Sequence, residues 1–452
     1  MHNRRTFLRN SACAATAIGL GPSGLFSMTG PPRKDILRIG LIGVGLRGTN
    51  HLRNLLLRDD VRVTALCDID PGRLEPAAGM VVEAGQEPPA TFGEHEHSYR
   101  DLLDLESVDA VVISTPWLWH TPMAVDAMKA GKYTGLEVSA ATTLEECWDL
   151  VDTHEATGTH LMLLENVNYR RDVLAVLNMV RQDVFGELVH FRCGYQHDLR
   201  EVKFNDGKQP YGGGVEFGEK AISEARWRTL HSLRRNADVY PTHGLGPVAA
   251  MADINRGNRL VSLTSTASKG IGLHNHIVAR GGADHPNASL KFQQGDVITT
   301  TLTTARGETI IVTHDCNLPR PYSLGFRVQG ANGLWEVDGD RIYIEGESEP
   351  HRWDAAGPWL ERYDHPLWKK YGEYASGSGH GGMDFFVLHA FVQSARLGVA
   401  PPIDAYDAAA WSSVTPLSEQ SIAGRGEPQD VPDFTRGQWI RRKPYDWIKD
   451  TY

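Results

Sequence analysis

The feature that most constrains the fold is a glycine-rich segment near the start of the chain, ILRIGLIGVGLRGTNHLRNLLL. An apolar stretch over 36–42 predicts a buried strand, three glycines follow in the pattern G-x-G-x-x-G, and leucines then recur at helical spacing. Glycine permits a sharp strand-to-helix turn and lets a pyrophosphate approach the helix N-terminus, where free N–H groups favour an anion. The segment therefore predicts a dinucleotide-binding turn, formed by Gly43, Gly45, Leu46, Arg47 and Gly48.

The next apolar stretch indicates which dinucleotide is bound. VRVTALCDID over 61–70 predicts a second strand that ends at Asp68, twenty residues after Gly48. A carboxylate at this place can accept hydrogen bonds from the adenosine ribose and would repel a 2′-phosphate, so NAD is favoured over NADP. Arg47 and Arg73 are the nearby cations that could weaken this preference.

Alternating strand and helix patterns continue through the first third of the chain. The sequence predicts a strand over 110–114, a helix over 121–130 and a short strand reaching Glu137. This rhythm is typical of a doubly wound parallel sheet, an α/β Rossmann fold whose ligands lie at the carboxyl ends of the strands. We therefore expect further cofactor contacts from residues that follow these strands, namely Trp117, Leu118, Trp119, His120, Glu137, Val138, Glu165 and Asn166.

In the second half of the chain, hairpin patterns replace the alternation of strands and helices. Two runs of β-branched residues flank Arg306-Gly307, and further turns are predicted at Asn332-Gly333 and Asp338-Gly339. They predict a C-terminal α/β domain with a large open, mainly antiparallel sheet, whose outer face can join copies of the chain. The predicted divisions are a signal region over 1–30, a Rossmann domain over 35–160, an α/β substrate domain over 161–425 and a tail over 426–452.

Composition excludes several classes of partner. The formal net charge is −10 and the basic residues are scattered, so no basic stripe offers itself to nucleic acid. The five cysteines contain no C-x-x-C pair, and four of them are best read as buried thiols, although the sequence leaves a disulfide open. The histidine-rich pieces EHEH and HNH lack convergent partners, so we expect no metal.

The N-terminus reads as a targeting segment. RRTFLRN has two adjacent arginines before an apolar pair, and a weakly apolar run of small residues follows over 11–30. That run suits a signal peptide and is too interrupted to span a bilayer. The segment predicts export by the twin-arginine route to the periplasm or cell envelope, with no membrane insertion afterwards.

The order of these motifs resembles the Gfo/Idh/MocA oxidoreductase superfamily. Most of its members carry Glu-Lys-Pro after the fifth strand, where this chain has Glu137-Val138-Ser139. The strings TPWLWHTP, GLEVSAATTLEECWDLV, LLENVNYRRDVLAVLNMVR, GYQHDLREVKFNDG, GVEFGEKAISEARWRTLHS, YPTHGLGPVA, GHGGMDFFV and DFTRGQW resemble a narrower group, glycoside hydrolase family 109. This resemblance extends over residues 38–439.

The resemblance implies an NAD-dependent glycosidase of the α-N-acetylgalactosaminidase type. Oxidation at C3 of the sugar would acidify the C2 proton, elimination would release the aglycone, and addition of water and reduction would follow, with no net redox change. A cofactor regenerated in every turnover could be captured before export of the folded protein. The alternatives are an NAD-dependent sugar or inositol dehydrogenase and a noncatalytic sugar-sensing protein.

The resemblance also implies where the chemistry lies. His243 is the first choice for the base at the C3 hydroxyl, with Tyr240 one turn away as a proton relay. Tyr195 is a candidate C2 base because a nearby cation can lower the pKa of a tyrosine, but Tyr211 and Tyr322 remain alternatives. The candidate substrate-binding set is Tyr195, Tyr211, Arg228, Tyr240, Thr242, His243 and Tyr322.

Overall fold

Two β-sheets organise residues 34–444, which are the residues that the computed structural model describes. The predicted signal over 1–30, including Arg4 and Arg5, lies outside the described residues. Within them, no helix combines the length and the apolar character needed to cross a bilayer.

The N-terminal unit is a six-stranded parallel sheet in the order β3-β2-β1-β4-β5-β6, as the repeated strand-helix pattern predicts. Its strands are β1 (Leu37–Ile42), β2 (Val61–Cys67), β3 (Ala90–Phe92), β4 (Ala110–Ile113), β5 (Tyr133–Leu136) and β6 (Leu161–Leu163). Its helices are α1 (Leu46–Leu56), α2 (Pro71–Glu83), α3 (Tyr99–Leu103), α4 (Trp117–Lys129) and α5 (Leu144–Thr157).

The boundary of this unit lies beyond the predicted residue 160. Strand β6 begins at Leu161 and pairs in parallel with β5, so it completes the first sheet. All three of its residues are buried, because helix Ala405–Ser412 packs against the strand and the Leu163 N–H donates to the Ile403 carbonyl. Helix α5 delivers the chain to it, and a capping box between Thr143 and Glu146 fixes where that helix begins.

The C-terminal unit is a nine-stranded mixed sheet in the order β14-β13-β12-β11-β7-β10-β9-β8-β15. Its strands are β7 (Leu188–Gln196), β8 (Leu260–Ala267), β9 (Val297–Thr304), β10 (Thr309–Asp315), β11 (Arg327–Gly330), β12 (Gly333–Glu336), β13 (Arg341–Ile344), β14 (Asp354–Ala355) and β15 (Gln429–Asp430). Its helices are α6 (Arg171–Arg181), α7 (Arg200–Lys203), α8 (Arg228–Arg234), α9 (Thr242–Met251), α10 (Gly272–Gly281), α11 (Gly357–Arg362), α12 (Pro366–Ala375), α13 (Met383–Leu397), α14 (Ala405–Ser412) and α15 (Val414–Ala423).

The expected hairpins form within this sheet. β9 and β10 pair about the Arg306-Gly307 turn, β11 and β12 about Asn332-Gly333, and β12 and β13 about Asp338-Gly339. Only β7 and β10 pair in parallel among the strand pairs of the described chain's second sheet. The sheet is therefore mainly antiparallel, as predicted.

Two segments of the C-terminal half lie elsewhere than the sequence predicts. β15 pairs with β8, and Val431 and Phe434 are buried, so the first part of the predicted tail over 426–452 belongs to the sheet domain. Helix α13 packs against α1 and β1 of the Rossmann unit, where Phe391 lies 2.9 Å from the position of a Cβ atom on Gly135. The two units therefore share a continuous buried core.

Candidate active site

The predicted nucleotide turn joins β1 to α1. Gly43 has φ +86°, and a Cβ atom on Gly48 would lie 1.9 Å from the Gly43 carbonyl oxygen, so both positions require glycine. A Cβ atom on Gly45 would meet nothing within 4 Å. The first turn of α1 begins at Leu46 without a side-chain cap, so no capping side chain occupies its free backbone N–H groups. A pyrophosphate fits such a cradle.

Asp68 lies where β2 ends and is half-buried beside the turn. One carboxylate oxygen accepts a hydrogen bond from the Val44 N–H at 2.8 Å, and the other accepts one from the Asp70 N–H at 3.0 Å. Burial raises the pKa of Asp68, against these two hydrogen bonds. Each oxygen retains a second lone pair, so the carboxylate is oriented to bind a ribose diol.

Arg47 is held between two carboxylates. Its guanidinium donates to Glu137 at 2.6 Å and to Asp384 at 2.9 Å, and Glu137 also contacts the His51 ring at 2.6 Å. Burial alone would raise the pKa of Glu137, but the charge of Arg47 and the contact with His51 hold it well below its usual range. Both carboxylates are therefore anionic, and they neutralise Arg47 rather than leaving it free for a 2′-phosphate.

The tryptophan pair lies in a helix that begins before the predicted start at residue 121. Helix α4 begins at Trp117, whose indole is buried and packs 5.6 Å from the Tyr240 ring. The Arg228 guanidinium carbon lies 5.2 Å from the same indole. Trp117 therefore backs the pocket wall that carries Tyr240 and Arg228.

The other three residues of this turn differ in exposure. Leu118 is 59% exposed, Trp119 is half-buried, and His120 is buried. The two ring nitrogens of His120 each lie 2.7 Å from a carbonyl oxygen, that of Ser139 and that of Thr115. His120 therefore ties the end of β4 to the segment after β5 and fixes the edge of the sheet where Val138 lies.

Helix α9 brings the predicted base into the pocket. It begins at Thr242, so His243 lies in its first turn rather than ahead of an apolar helix over 247–254. A Cβ atom on Gly244 would lie 2.4 Å from the backbone nitrogen of Gly194 in β7, so only glycine allows this approach. The His243 Nδ1 atom lies 2.7 Å from Glu165, which follows β6 and is fully buried. Its other ring nitrogen is left for a substrate.

Tyr195, in β7, stands next to this histidine. Its ring centroid lies 5.2 Å from that of His243 and 4.8 Å from that of Tyr240. Its hydroxyl lies 3.0 Å from the Nδ1 atom of His197. Burial raises the pKa of Tyr195, with Arg228 opposing, and burial also lowers the pKa of His197. The lowered tyrosine pKa that the sequence suggested is not found here, and the hydroxyl donates its hydrogen to a neutral imidazole.

The remaining predicted substrate contacts surround this pair. The Arg228 guanidinium carbon lies 4.8 Å from the Tyr240 ring, and Glu224 binds the guanidinium at 2.5 Å. Tyr322 is 48% exposed, with its ring 5.0 Å from that of His197 and 6.5 Å from that of Tyr195. It stands at the mouth of the pocket.

Tyr211 lies in a loop and is 50% exposed, so it is the outermost of the three candidate tyrosines. Burial of part of its side chain raises its pKa, as does the nearby charge of Glu224. No hydrogen bond of the Tyr211 hydroxyl is found in the described chain.

Several buried polar atoms line the region between the two units. Within residues 34–444, the Glu165 Oε2, Asn166 Oδ1 and Thr242 Oγ1 atoms have no hydrogen-bonding partner. Asn166 uses its amide nitrogen to bind Asp384 at 2.9 Å. Buried polar groups normally have partners, so these atoms fit a polar ligand. The hydroxyls of a sugar and the carboxamide of a nicotinamide both meet this requirement.

Metal and disulfide chemistry find no support in the part of the chain that the structure describes. No group of three or more histidine, cysteine or acidic residues is arranged to hold a metal ion over 34–444. Cys67, Cys147, Cys193 and Cys316 are buried and free. The interpretation of these cysteines as buried thiols is confirmed.

Two known protein families match this chain. Residues 37–164 match the oxidoreductase family with an NAD-binding Rossmann fold, and residues 169–441 match the C-terminal domain of glycosyl hydrolase 109. The chain belongs to glycosyl hydrolase family 109. It is therefore a glycoside hydrolase with NAD as its cofactor, and the resemblance drawn from the sequence motifs is confirmed.

Family 109 relatives match over nearly their whole length. The chain is 49% identical to the α-N-acetylgalactosaminidase of Tannerella forsythia, over 98% of this chain and 99% of the relative. It is 51% identical to a glycosyl hydrolase family 109 protein of Stenotrophomonas maltophilia, over 98% and 97% of the two chains.

Solved structures share the fold at much lower identity. An NAD-binding oxidoreductase from Klebsiella pneumoniae superposes with a TM-score of 0.65 at 17% identity, over 88% of this chain and 99% of that one. A levoglucosan dehydrogenase in complex with NADH and L-sorbose gives a TM-score of 0.62 at 19% identity, with the same coverage. These matches confirm the predicted pair of sheets.

Two residues of the site, Asp384 and His51, were not predicted from the sequence, and a third, Glu165, was predicted only as a cofactor contact. Asp384 binds Arg47, His51 binds Glu137, and Glu165 binds His243 rather than standing as a cofactor contact alone. A weak signal existed for Asp384, because it follows a glycine-rich loop at the start of a helix. No local pattern links it to a partner 337 positions earlier.

Proposed function

We propose that the protein hydrolyses terminal α-linked N-acetylgalactosaminides and retains its NAD without net change in oxidation state. The observation that carries this proposal is the convergence of two proton-transfer pairs on one pocket, Glu165 with His243 and Tyr195 with His197. The names of the relatives support the choice of sugar. When bound, NAD⁺ supplies a reversible hydride acceptor for the C3 carbon of the sugar.

His243 acts on the C3 hydroxyl. Its Nδ1 atom is held at 2.7 Å by the buried Glu165, so the opposite nitrogen is directed to the substrate and removes the hydroxyl proton as the carbonyl forms. The carboxylate stabilises the imidazolium that results. On the return half of the cycle, the same nitrogen gives the proton back to the oxygen.

Tyr195 acts on the C2 proton through His197. Because burial raises the pKa of Tyr195, its hydroxyl is protonated at neutral pH and cannot accept a proton without losing its own. The His197 ring lies 3.0 Å away and is neutral because burial lowers its pKa, so its unprotonated nitrogen can accept the hydroxyl proton while the tyrosine oxygen takes the proton from C2. The C2–H electron pair forms the C1–C2 double bond, and the bond from C1 to the aglycone oxygen breaks.

This relay favours Tyr195 over the other two candidate bases. Tyr211 and Tyr322 are each about half exposed, and neither hydroxyl has a histidine acceptor among the described residues. They are better suited to contacting the sugar from the pocket mouth. Arg228, Tyr240 and Thr242 would bind the hydroxyl and acetamido groups, and Arg228 would also stabilise negative charge that develops at C2.

The test is a comparison of aryl glycosides with purified protein. Cleavage of the aryl α-N-acetylgalactosaminide, with slower cleavage of the α-galactoside, α-N-acetylglucosaminide and β-anomer, supports the proposal. Absorbance at 340 nm distinguishes the alternatives, because a dehydrogenase accumulates NADH in proportion to turnover. Binding of sugar without any turnover would instead indicate a sensor.

We also propose that the protein is exported folded by the twin-arginine route to the periplasm or cell envelope. Arg4 and Arg5, followed by Phe7 and Leu8, support this. A protein that carries a resident nucleotide benefits from folding where the nucleotide is made. Replacing Arg4 and Arg5 by lysine should leave active protein in the cytoplasmic fraction, and unchanged distribution between fractions would contradict export by this route.

A further inference from the structure

A wide groove adjoins the pocket on the side of Tyr322. Its volume is about 1050 Å³, at the upper end of the roughly 300–1,000 Å³ of sites that hold drug-sized ligands. Its walls come from the start of α6, from helices α11 and α12, and from the loop ahead of α13. The groove is thus larger than one terminal sugar needs.

Tyr322 joins the groove to the proton-transfer groups. Its ring contacts His197 at 5.0 Å and Tyr195 at 6.5 Å on the pocket side, and the same side chain lines the groove. The other pocket walls, formed by Tyr240 and Arg228, are mostly buried. The part of a substrate that extends beyond C1 would therefore leave the pocket past Tyr322 and enter the groove.

The groove offers both an aromatic surface and hydrogen-bonding groups. The Trp368 indole donates to the Tyr169 carbonyl at 2.8 Å, which fixes its ring, and the Arg171 guanidinium carbon lies 5.8 Å from that ring. Arg171 donates two of its five N–H groups to Asp364, at 3.1 and 2.9 Å. Its side chain is 65% exposed, so the other N–H groups can bind a ligand. A sugar presents an apolar C–H face and hydroxyls, which match this combination.

The charge of the groove selects among sugars. Four carboxylates and two guanidinia line it, so the walls carry a net negative charge. The charged lining residues are Arg170, Arg171, Asp172, Asp338, Glu361 and Asp364. An anionic glycan would be repelled, whereas neutral hydroxyls can donate to carboxylates and accept from guanidinia.

We propose that this groove is the aglycone subsite and that it binds a neutral oligosaccharide on the leaving side of the cleaved bond. The inference deepens the proposed glycosidase function and rests on it. It means that the protein is built for the ends of extended neutral glycans and that Arg171 and Glu361 act on the leaving sugars without contacting the terminal one.

The test compares two substrates with the same terminal sugar, 4-nitrophenyl α-N-acetylgalactosaminide and a neutral trisaccharide in which that sugar caps N-acetyllactosamine. Arg171→Ala and Glu361→Ala should each lower kcat/KM for the trisaccharide about fivefold to tenfold, as expected for one lost hydrogen bond. Neither should change kcat/KM for the aryl glycoside by more than about twofold. Arg352→Ala, which removes an exposed ion pair with Glu349 outside the groove, is the matched control.

Three outcomes would overturn the assignment. Equal losses on both substrates would show that the variants damage the pocket, and unchanged trisaccharide kinetics would show that the groove does not bind it. A serine-linked glycopeptide with the same terminal sugar is assayed alongside, and a loss confined to that substrate would indicate a peptide subsite instead.

A binding measurement separates this inference from the proposed function. Titration calorimetry with N-acetyllactosamine alone requires no catalysis, so it reports on the groove even if no aryl glycoside is cleaved. Binding that weakens in Arg171→Ala and Glu361→Ala supports the subsite. Absence of binding, or equal binding by all variants, contradicts it.

Discussion

Glu165 is the residue whose replacement tests the oxidation step most sharply. Its carboxylate is fully buried, lies 2.7 Å from the Nδ1 atom of His243, and also accepts the Val167 N–H at 3.0 Å. Glu165→Gln keeps the size of the side chain and a hydrogen-bond acceptor but removes the negative charge. The change therefore isolates the stabilisation of the imidazolium that forms when His243 removes a proton.

The expected magnitude follows from the burial and the short distance. A hydrogen bond to a charged group contributes about 1.5–3 kcal/mol. At about 1.4 kcal/mol per factor of ten, losing this contribution lowers kcat roughly 10- to 150-fold. KM should change much less, because the charge matters in the transition state rather than in the bound substrate.

The assay is steady-state hydrolysis of an aryl α-N-acetylgalactosaminide, together with the NAD content of the purified variant. Glu419→Gln is the matched control, since that carboxylate binds Arg235 at 2.6 Å in a helix away from the pocket. A Glu165→Gln variant that retains NAD and a kcat within twofold of the wild type would refute the role given to this carboxylate.

Three further predictions concern the turn, a buried lysine and the proton relay. Gly48→Ala should lower the free energy of unfolding of the apo protein by about 1–3 kcal/mol, because the added Cβ atom meets the Gly43 carbonyl. Gly45→Ala should leave that free energy unchanged but reduce the amount of NAD that the protein retains on gel filtration. Burial lowers the pKa of Lys203 from 10.5 to about 8, so the folded state binds fewer protons than the unfolded state between these values. Relative to Lys203→Met, the wild type should gain up to about 3 kcal/mol of unfolding free energy between pH 8 and 10.5, as measured by urea titrations. If the unfolding free energies of the two proteins change with pH in parallel, this prediction is contradicted. His197→Ala should slow exchange of the C2 proton with solvent by at least about tenfold while NAD stays bound, and unchanged exchange would exclude the relay.

The sequence predicted the parts of this protein that depend on local pattern. The glycine turn and Asp68 are separated by one helix and one strand, and the chemistry of a dinucleotide fixes their spacing. The hairpins about Arg306-Gly307 and Asn332-Gly333 could also be predicted, because turn residues specify them within a few positions. These segments form as predicted.

Long-range pairings could not be predicted in this way. The contact of Arg47 with Asp384 spans 337 positions, and that of His243 with Glu165 spans 78. Each depends on how α13 and α9 pack against the Rossmann unit, which neither hydrophobic period nor motif spacing encodes. The same holds for β15, a two-residue strand that only its pairing with β8 defines.

The sequence also predicted the starts of two helices incorrectly. Trp117 and His243 each lie in the first turn of a helix that the sequence began several residues later. In both cases a proline inside the helix, Pro122 or Pro247, made the start look later than it is. Each proline lies five residues after the first helical residue, beyond the first turn, so each helix gives up one internal hydrogen bond there.

The central claim is that bond cleavage proceeds through removal of the C2 proton while NAD remains in the protein. The most direct measurement is hydrolysis of an aryl α-N-acetylgalactosaminide in D₂O, followed by NMR of the released sugar and by quantification of bound NAD. The account predicts deuterium at C2 of the product, stoichiometric bound cofactor and no accumulation of NADH. Product that forms at the full rate with hydrogen retained at C2 would contradict it.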